Sequence, residues 1–218
     1  MDVNKAIVTR RSIRAFKPQP VPKETLQAIL DAARWSPSGM NIQPWNCCVV
    51  TGKTLETLKS SLVEKAKTAE GKPEIPWYDF GEAHNERRKQ LGISVMKAKG
   101  IGREDKAKRA EWNLQMLRFF DAPAAIMIYT ERRLGSMALF DVGFIAHAIM
   151  LLAHEAGLGT CVVGLATSYP DMVRSVLNIP DDSLIVAGLA VGYPDPAAPI
   201  NQFERERAAL DSFVQWRT

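Results

Sequence analysis

Hydrophobic side chains recur every three or four positions in several stretches of the chain, which is the spacing of helices packed against a core. The pattern predicts a short helix from Asp2 to Thr9, a helix after Pro22 and another around Leu55. A long apolar helix is expected from about residue 135 to 156. The chain therefore contains enough amphipathic helix to cover a sheet.

Three runs of β-branched and apolar residues predict strands, at Trp45–Val50, Ala124–Tyr129 and Leu184–Val191. These runs alternate with the predicted helices along the chain. Interleaved strands and helices indicate an α/β or an α+β fold.

Two segments interrupt this regularity within what we interpret as a single domain spanning residues 1–218. Prolines, glycines and aromatic residues from about 71 to 110 predict an excursion from the core that could act as a lid. The tail from about 195 to 218 predicts an extended C-terminal arm.

Composition supports one soluble domain, because 46% of the 218 residues are hydrophobic and 24% are charged. The long apolar stretch contains Asp141, His147 and His154, so we expect a buried helix and no membrane span. No export signal is visible at the N-terminus, and a cytoplasmic location is expected. The three cysteines lack the spacing of metal ligands, and no metal is expected.

The net charge of +4 is concentrated in residues 84–109, which hold nine lysines or arginines and three acidic residues. A solvated helix face explains such a run as well as an anion site does. Few aromatic residues are interleaved with this charge, so nucleic-acid binding is not expected.

Common catalytic signatures are incomplete. The glycines after Gly157 match neither a dinucleotide fingerprint nor a phosphate loop with its lysine, and no zinc-protease or serine-hydrolase motif occurs. Two other segments remain. The pentapeptide Arg10–Arg14 offers three guanidinium groups suited to phosphate, and Ser36–Trp45 is a proline-rich loop with amide and hydroxyl groups.

These two segments occur in order with FFDAP, EAGLGTC and ERERAALDSF, and together they resemble the nitroreductase family over essentially the whole chain. The resemblance implies an α+β fold, a three-layer sandwich in which helices flank a central, mostly antiparallel sheet. It also implies an intertwined homodimer with a flavin mononucleotide (FMN) site at each subunit interface, and NADH or NADPH as electron donor.

The resemblance also implies which residues bind FMN. Those expected from the N-terminal segment and the arm are Arg10, Arg11, Ser12, Arg14, Arg207 and, less directly, Arg205. Those expected from the loop of the other subunit are Pro37, Ser38, Asn41 and Gln43. Those expected along the edge of the ring are Val162, Val163 and Gly164.

The implied activity is hydride transfer from NAD(P)H to small electrophilic acceptors such as nitroaromatics, quinones or enones, in a ping-pong cycle. FMN would carry the hydride, so no catalytic side chain is expected. In the lid, Trp77 and Tyr78 could stack on an aromatic acceptor while Arg87 and Arg88 hold a carboxylate, which suggests a nitroaromatic acid.

Other interpretations stay open. Superfamily members that fragment flavin or remove halogens share the same motifs. The deiodinases among them have a Glu, Tyr and Lys in the lid, whereas here Glu82 is followed four residues later by Glu86. A flavin-binding protein without turnover is a further alternative.

Overall fold

Eleven regular elements form in the part of the chain that the structure, a computed structural model, describes: residues 1–76 and 79–218. The helices are α1 (Val3–Thr9), α2 (Lys23–Ala33), α3 (Gly52–Thr68), α4 (Glu82–Ala98), α5 (Lys106–Leu117), α6 (Gly135–Glu155) and α7 (Pro170–Leu177). The strands are β1 (Trp45–Thr51), β2 (Ala124–Glu131), β3 (Gly159–Val163) and β4 (Ser183–Gly192).

The four strands form one antiparallel sheet in the order β1-β2-β4-β3. Successive residues of β2 point to opposite faces of this sheet, as the period of a strand requires. Ala125 and Met127 join the hydrophobic cluster with α3, α5 and α7, whereas Ile126 and Ile128 join the cluster with α2 and α6. Helices therefore cover both faces, and the expected α+β, three-layer arrangement is confirmed.

Most elements agree with the sequence-based predictions, and Asp2 caps α1 by accepting a hydrogen bond from the Asn4 amide at 2.7 Å. Two differences are informative. Strand β3 was not predicted, because it is only five residues long and follows Gly157. The excursion was expected to be irregular, but α4 occupies 17 of its residues, and Val95 is the one buried residue of that helix.

Helix α6 packs one face on the sheet and leaves another uncovered. On the packed face of α6, Val142, Ile145 and Ile149 are buried, whereas Phe140 on the same helix is 64% exposed. By length and composition alone, residues 132–155 would suffice to cross a membrane. The buried face of α6 is typical of a core helix, whereas its other face presents apolar side chains to solvent.

Glu74 fastens the start of the excursion to the sheet. Its carboxylate accepts hydrogen bonds from Arg132 and Arg174 and, at 3.2 Å, from the amide of Ile185 in β4. The Glu74 and Arg174 side chains are 15% and 7% exposed. Burial opposes ionisation of Glu74, but these hydrogen bonds outweigh it and hold the pKa of the carboxyl below its ordinary value.

We expect Glu74→Gln to lower the free energy of unfolding by about 3 kcal/mol, because it leaves the buried Arg174 guanidinium without its main counter-ion. Chemical denaturation followed by circular dichroism measures this loss. Asp171→Asn is the matched control, since Asp171 also pairs with Arg174 but is fully exposed, and it should leave unfolding unchanged.

Comparing the parent protein with Glu74→Gln also tests how the contribution of Glu74 to stability depends on pH. Because the pKa of Glu74 is lower in the folded chain, its contribution is complete above the unfolded pKa and is lost as the pH falls through the folded pKa. The stability difference between the parent and Glu74→Gln should therefore shrink below about pH 4.5. An equal difference at pH 7 and pH 3 would contradict this role.

Candidate active site

A cavity of about 1030 Å³ lies between the N-terminal segment, α4 and the C-terminal arm. This volume is at the upper end of the roughly 300–1,000 Å³ typical of small-molecule sites. Its charge is unusual, because seven arginines and only three glutamates line it. The arginines are Arg10, Arg11, Arg14, Arg87, Arg88, Arg205 and Arg207. Such a cavity suits a large anionic ligand.

Strand β3 positions the N-terminal arginine segment. The Ile13 amide donates to the carbonyl of Thr160 at 2.9 Å, and Ser12 forms a parallel bridge with the same residue. A Cβ atom on Gly159 would lie 2.5 Å from Cγ1 of Ile13. Glycine at this position therefore lets the arginine segment lie directly against the sheet.

Asn201 joins the arginine segment to the start of the arm. Its Oδ1 accepts from the Arg14 amide at 2.8 Å, while its Nδ2 donates to the carbonyls of Ala15 and Asp195 at 2.8 and 2.9 Å. The side chain is buried, so these bonds are protected from water. This one residue fixes the relative position of two walls of the cavity.

Two arginines, one from the arm and one from the N-terminal segment, join these segments further. Arg205 donates to the carbonyls of Val8 and Arg10, where α1 ends. Arg11 donates to the carbonyl of Phe203 and its guanidinium lies 5.4 Å from the centre of the Phe203 ring. Arg205 therefore stabilises the junction of arm and helix.

Like charges crowd each other in this cluster. Burial lowers the pKa of Arg10, and the charges of Arg205 and Arg207 lower it further. Burial, Arg205 and Arg14 lower the pKa of Arg11 in the same way. The buried Nε of Arg11 has no hydrogen-bond partner among the described residues. A phosphate group would satisfy this donor and neutralise the cluster, so the residues fit FMN.

The loop at 36–44 contributes nothing to this cavity within one chain. Met40, Asn41 and Gln43 all have positive φ angles, a conformation that costs about 1–2 kcal/mol per residue. Local bonds support it: Ser38 Oγ accepts from the Gln43 amide at 2.9 Å, and Gln43 Nε2 donates to the Asn41 carbonyl at 3.1 Å. Pro37 begins the turn. The loop is thus held in a costly, fixed shape on the surface.

Asp141 anchors this loop to α6. Its carboxylate, only 3% exposed, accepts from the amide of Gly39 at 3.2 and 3.3 Å. The sequence already contains the signal, a carboxylate inside an otherwise apolar helix, although we interpreted it only as an argument against a membrane span. Asn201 carried no such signal, because its partners are backbone groups, two of them distant in sequence.

The residues predicted along the edge of the flavin ring lie at the end of β3 and just after it. Val162 is half-exposed, Val163 is buried, and a turn of 3₁₀ helix begins at Gly164. None of these three lines the cavity, but β3 borders it through the bridge from Thr160 to Ser12.

The predicted lid residues divide into two pairs. Arg87 and Arg88 lie on α4 and line the same cavity as the N-terminal arginines. Trp77 and Tyr78 fall outside the described residues.

Comparisons with known proteins agree with this geometry. The protein-family model described as "Nitroreductase family" matches residues 7–193 of the chain. A chloronitrobenzene nitroreductase of Comamonas testosteroni is 36% identical over 97% of this chain and 95% of its own length. A nitrobenzene nitroreductase of Ectopseudomonas oleovorans is 35% identical over the same shares.

A solved structure extends the likeness to three dimensions. The FMN and NADPH-dependent nitroreductase NfnB from sphigopyxis sp. strain HMH superposes with a TM-score of 0.97 at 31% identity, covering 100% of both chains. Sequence, fold and cavity thus agree, and the chain belongs to the nitroreductase family.

Proposed function

We propose that the protein is an FMN-dependent oxidoreductase that uses NAD(P)H to reduce small nitroaromatic compounds. The observation that carries this proposal is the convergence of the N-terminal and arm arginines on one cavity, with a buried guanidinium nitrogen left for an anion. Relatives named as nitroreductases, at 35–36% identity over nearly the whole chain, support the reaction class.

Two walls of the cavity, the N-terminal segment and the arm, would hold FMN. Arg10, Arg11 and Arg207 would bind the phosphate, while Ser12 and Arg14 would bind the ribityl chain and the pyrimidine carbonyls. Arg205 holds the end of α1 in place, so its effect on the phosphate would come through the position of Arg10.

When bound, FMN accepts a hydride from NAD(P)H and passes it to the acceptor. The chain itself then needs only to bind and orient the two molecules and to exclude water. Donor and acceptor would use the same place in turn, which gives a ping-pong cycle.

We propose nitroarenes as the main acceptors, with quinones and enones as further candidates. Chloronitrobenzene and nitrobenzene, which appear in the names of two relatives, are uncharged. Arg87 and Arg88 would additionally accommodate a nitroaromatic acid through its carboxylate.

A second copy of the chain would complete the site. The loop residues expected at the ring lie away from the cavity, and Met40 at the loop tip is 95% exposed. Exposed apolar residues on α6 and the arm support a homodimer. They are Met137, Phe140, Phe144, Leu210, Phe213 and Trp216. The cytoplasmic location expected from the sequence stays part of this proposal.

Arg11→Ala should weaken FMN binding about 10–100-fold, because it removes a charge-assisted hydrogen bond worth about 1.5–3 kcal/mol. Titration of the FMN-free protein, followed by quenching of flavin fluorescence, measures the dissociation constant. Arg103→Ala removes an exposed arginine outside the cavity and should bind FMN like the parent. If the Arg11 variant bound FMN as tightly as the parent, the proposed phosphate site would be refuted.

Phe140→Asp should convert a dimer into monomers and reduce FMN affinity with it, because a charge would be buried between two copies of α6. Analytical ultracentrifugation gives the association state. Ile93→Asp, at an exposed apolar position on α4, is the matched control and should remain dimeric. A parent protein that sediments as a monomer with FMN bound would rule out a shared site.

A further inference from the structure

The α4 arginines remain after FMN has been accounted for. The phosphate of FMN brings a charge of about −1.5 to −2, whereas the cavity lining has four more arginines than glutamates. Arg10, Arg11 and Arg207 suffice for that phosphate. Positive charge therefore remains on the α4 wall of the cavity, where it can attract the second molecule of the reaction.

Neither α4 arginine is neutralised by a neighbour. Arg87 and Arg88 form no ion pair among the described residues. Glu86, beside them, is engaged instead with Lys89 at 3.4 Å and Gln90 at 2.6 Å. Asp79 lies near Arg88, and its pKa is lowered first by the hydrogen bond from Asn85, with a smaller contribution from the charge of Arg88. Both guanidinium groups remain available to an anion.

The molecule that must enter in every cycle is the nicotinamide donor. NADPH differs from NADH only by a phosphate on the 2′-oxygen of the adenosine ribose, and arginine is the side chain that accommodates this group in other dinucleotide sites. The cavity is at the upper end of the volumes of small-molecule sites, and the α4 arginines line it, so they are placed to contact the outer part of a donor stacked on FMN.

We propose that Arg87 and Arg88 bind the 2′-phosphate and thereby make the enzyme selective for NADPH over NADH. This inference rests on the proposed function, since it assigns the donor of the same site. Lys89, on the same helix but outside the cavity lining, carries an equal charge and does not take part.

Binding of two nucleotide fragments tests the inference without turnover. Calorimetry on the FMN-loaded protein should show adenosine 2′,5′-bisphosphate binding at least tenfold more tightly than adenosine 5′-phosphate. In Arg87→Ala or Arg88→Ala this ratio should fall about tenfold. In Lys89→Ala it should stay within twofold, which separates a specific contact from a general loss of positive charge.

Anaerobic stopped-flow reduction by NADPH and by NADH supplies the kinetic readout. The ratio of the two second-order rate constants should favour NADPH in the parent and fall about tenfold in the Arg87 and Arg88 variants. No acceptor is present, so a role in carboxylate binding cannot produce this effect.

The outcomes separate the two proposals. Absence of flavin reduction by either donor would refute the proposed function, while the fragment-binding ratio would still decide the inference. Equal binding of both fragments by the parent, or an unchanged ratio in both arginine variants, would overturn it.

Discussion

Repulsion among the arginines at one cavity is the interaction on which the rest of the structure depends. Burial and the charges of Arg205 and Arg207 lower the pKa of Arg10. Burial and the charges of Arg205 and Arg14 lower the pKa of Arg11, one buried nitrogen of which has no described partner. Such an arrangement is costly unless an anion joins it. The fold therefore has to hold these side chains together against their electrostatic repulsion. A bound phosphate would remove this repulsion.

Hydrogen bonds to backbone groups supply the restraint. Thr160 holds Ile13 beside β3, Asn201 joins the segment to the arm, and Arg205 closes on the end of α1. The loop that the proposed dimer would bring to the site is held in the same manner, because Asp141 accepts from the Gly39 amide. Both segments are held in place without a ligand, which reduces the entropy that binding must overcome.

The sequence predicted most of the helices and three strands because their hydrophobic spacing is local, but not α4, of which only Val95 is buried. It also predicted the arginines of the cavity, which form ordered motifs shared with a family. It could not predict the role of Asn201, because two of its three partners are backbone groups almost 190 residues away. Nor could it predict β3, because a run of five residues after a glycine turn is a weak strand signal. It likewise could not show that Arg87 and Arg88 face the same cavity as Arg10, since that depends on how α4 packs against the chain.

The visible spectrum of the purified, FMN-reconstituted protein tests the central claim most directly. With FMN held by the arginine cluster, the protein should retain its yellow colour through gel filtration and lose it on anaerobic addition of NADPH. A protein that emerges colourless would contradict the binding site, and one that stays yellow with both NADPH and NADH would contradict the oxidoreductase.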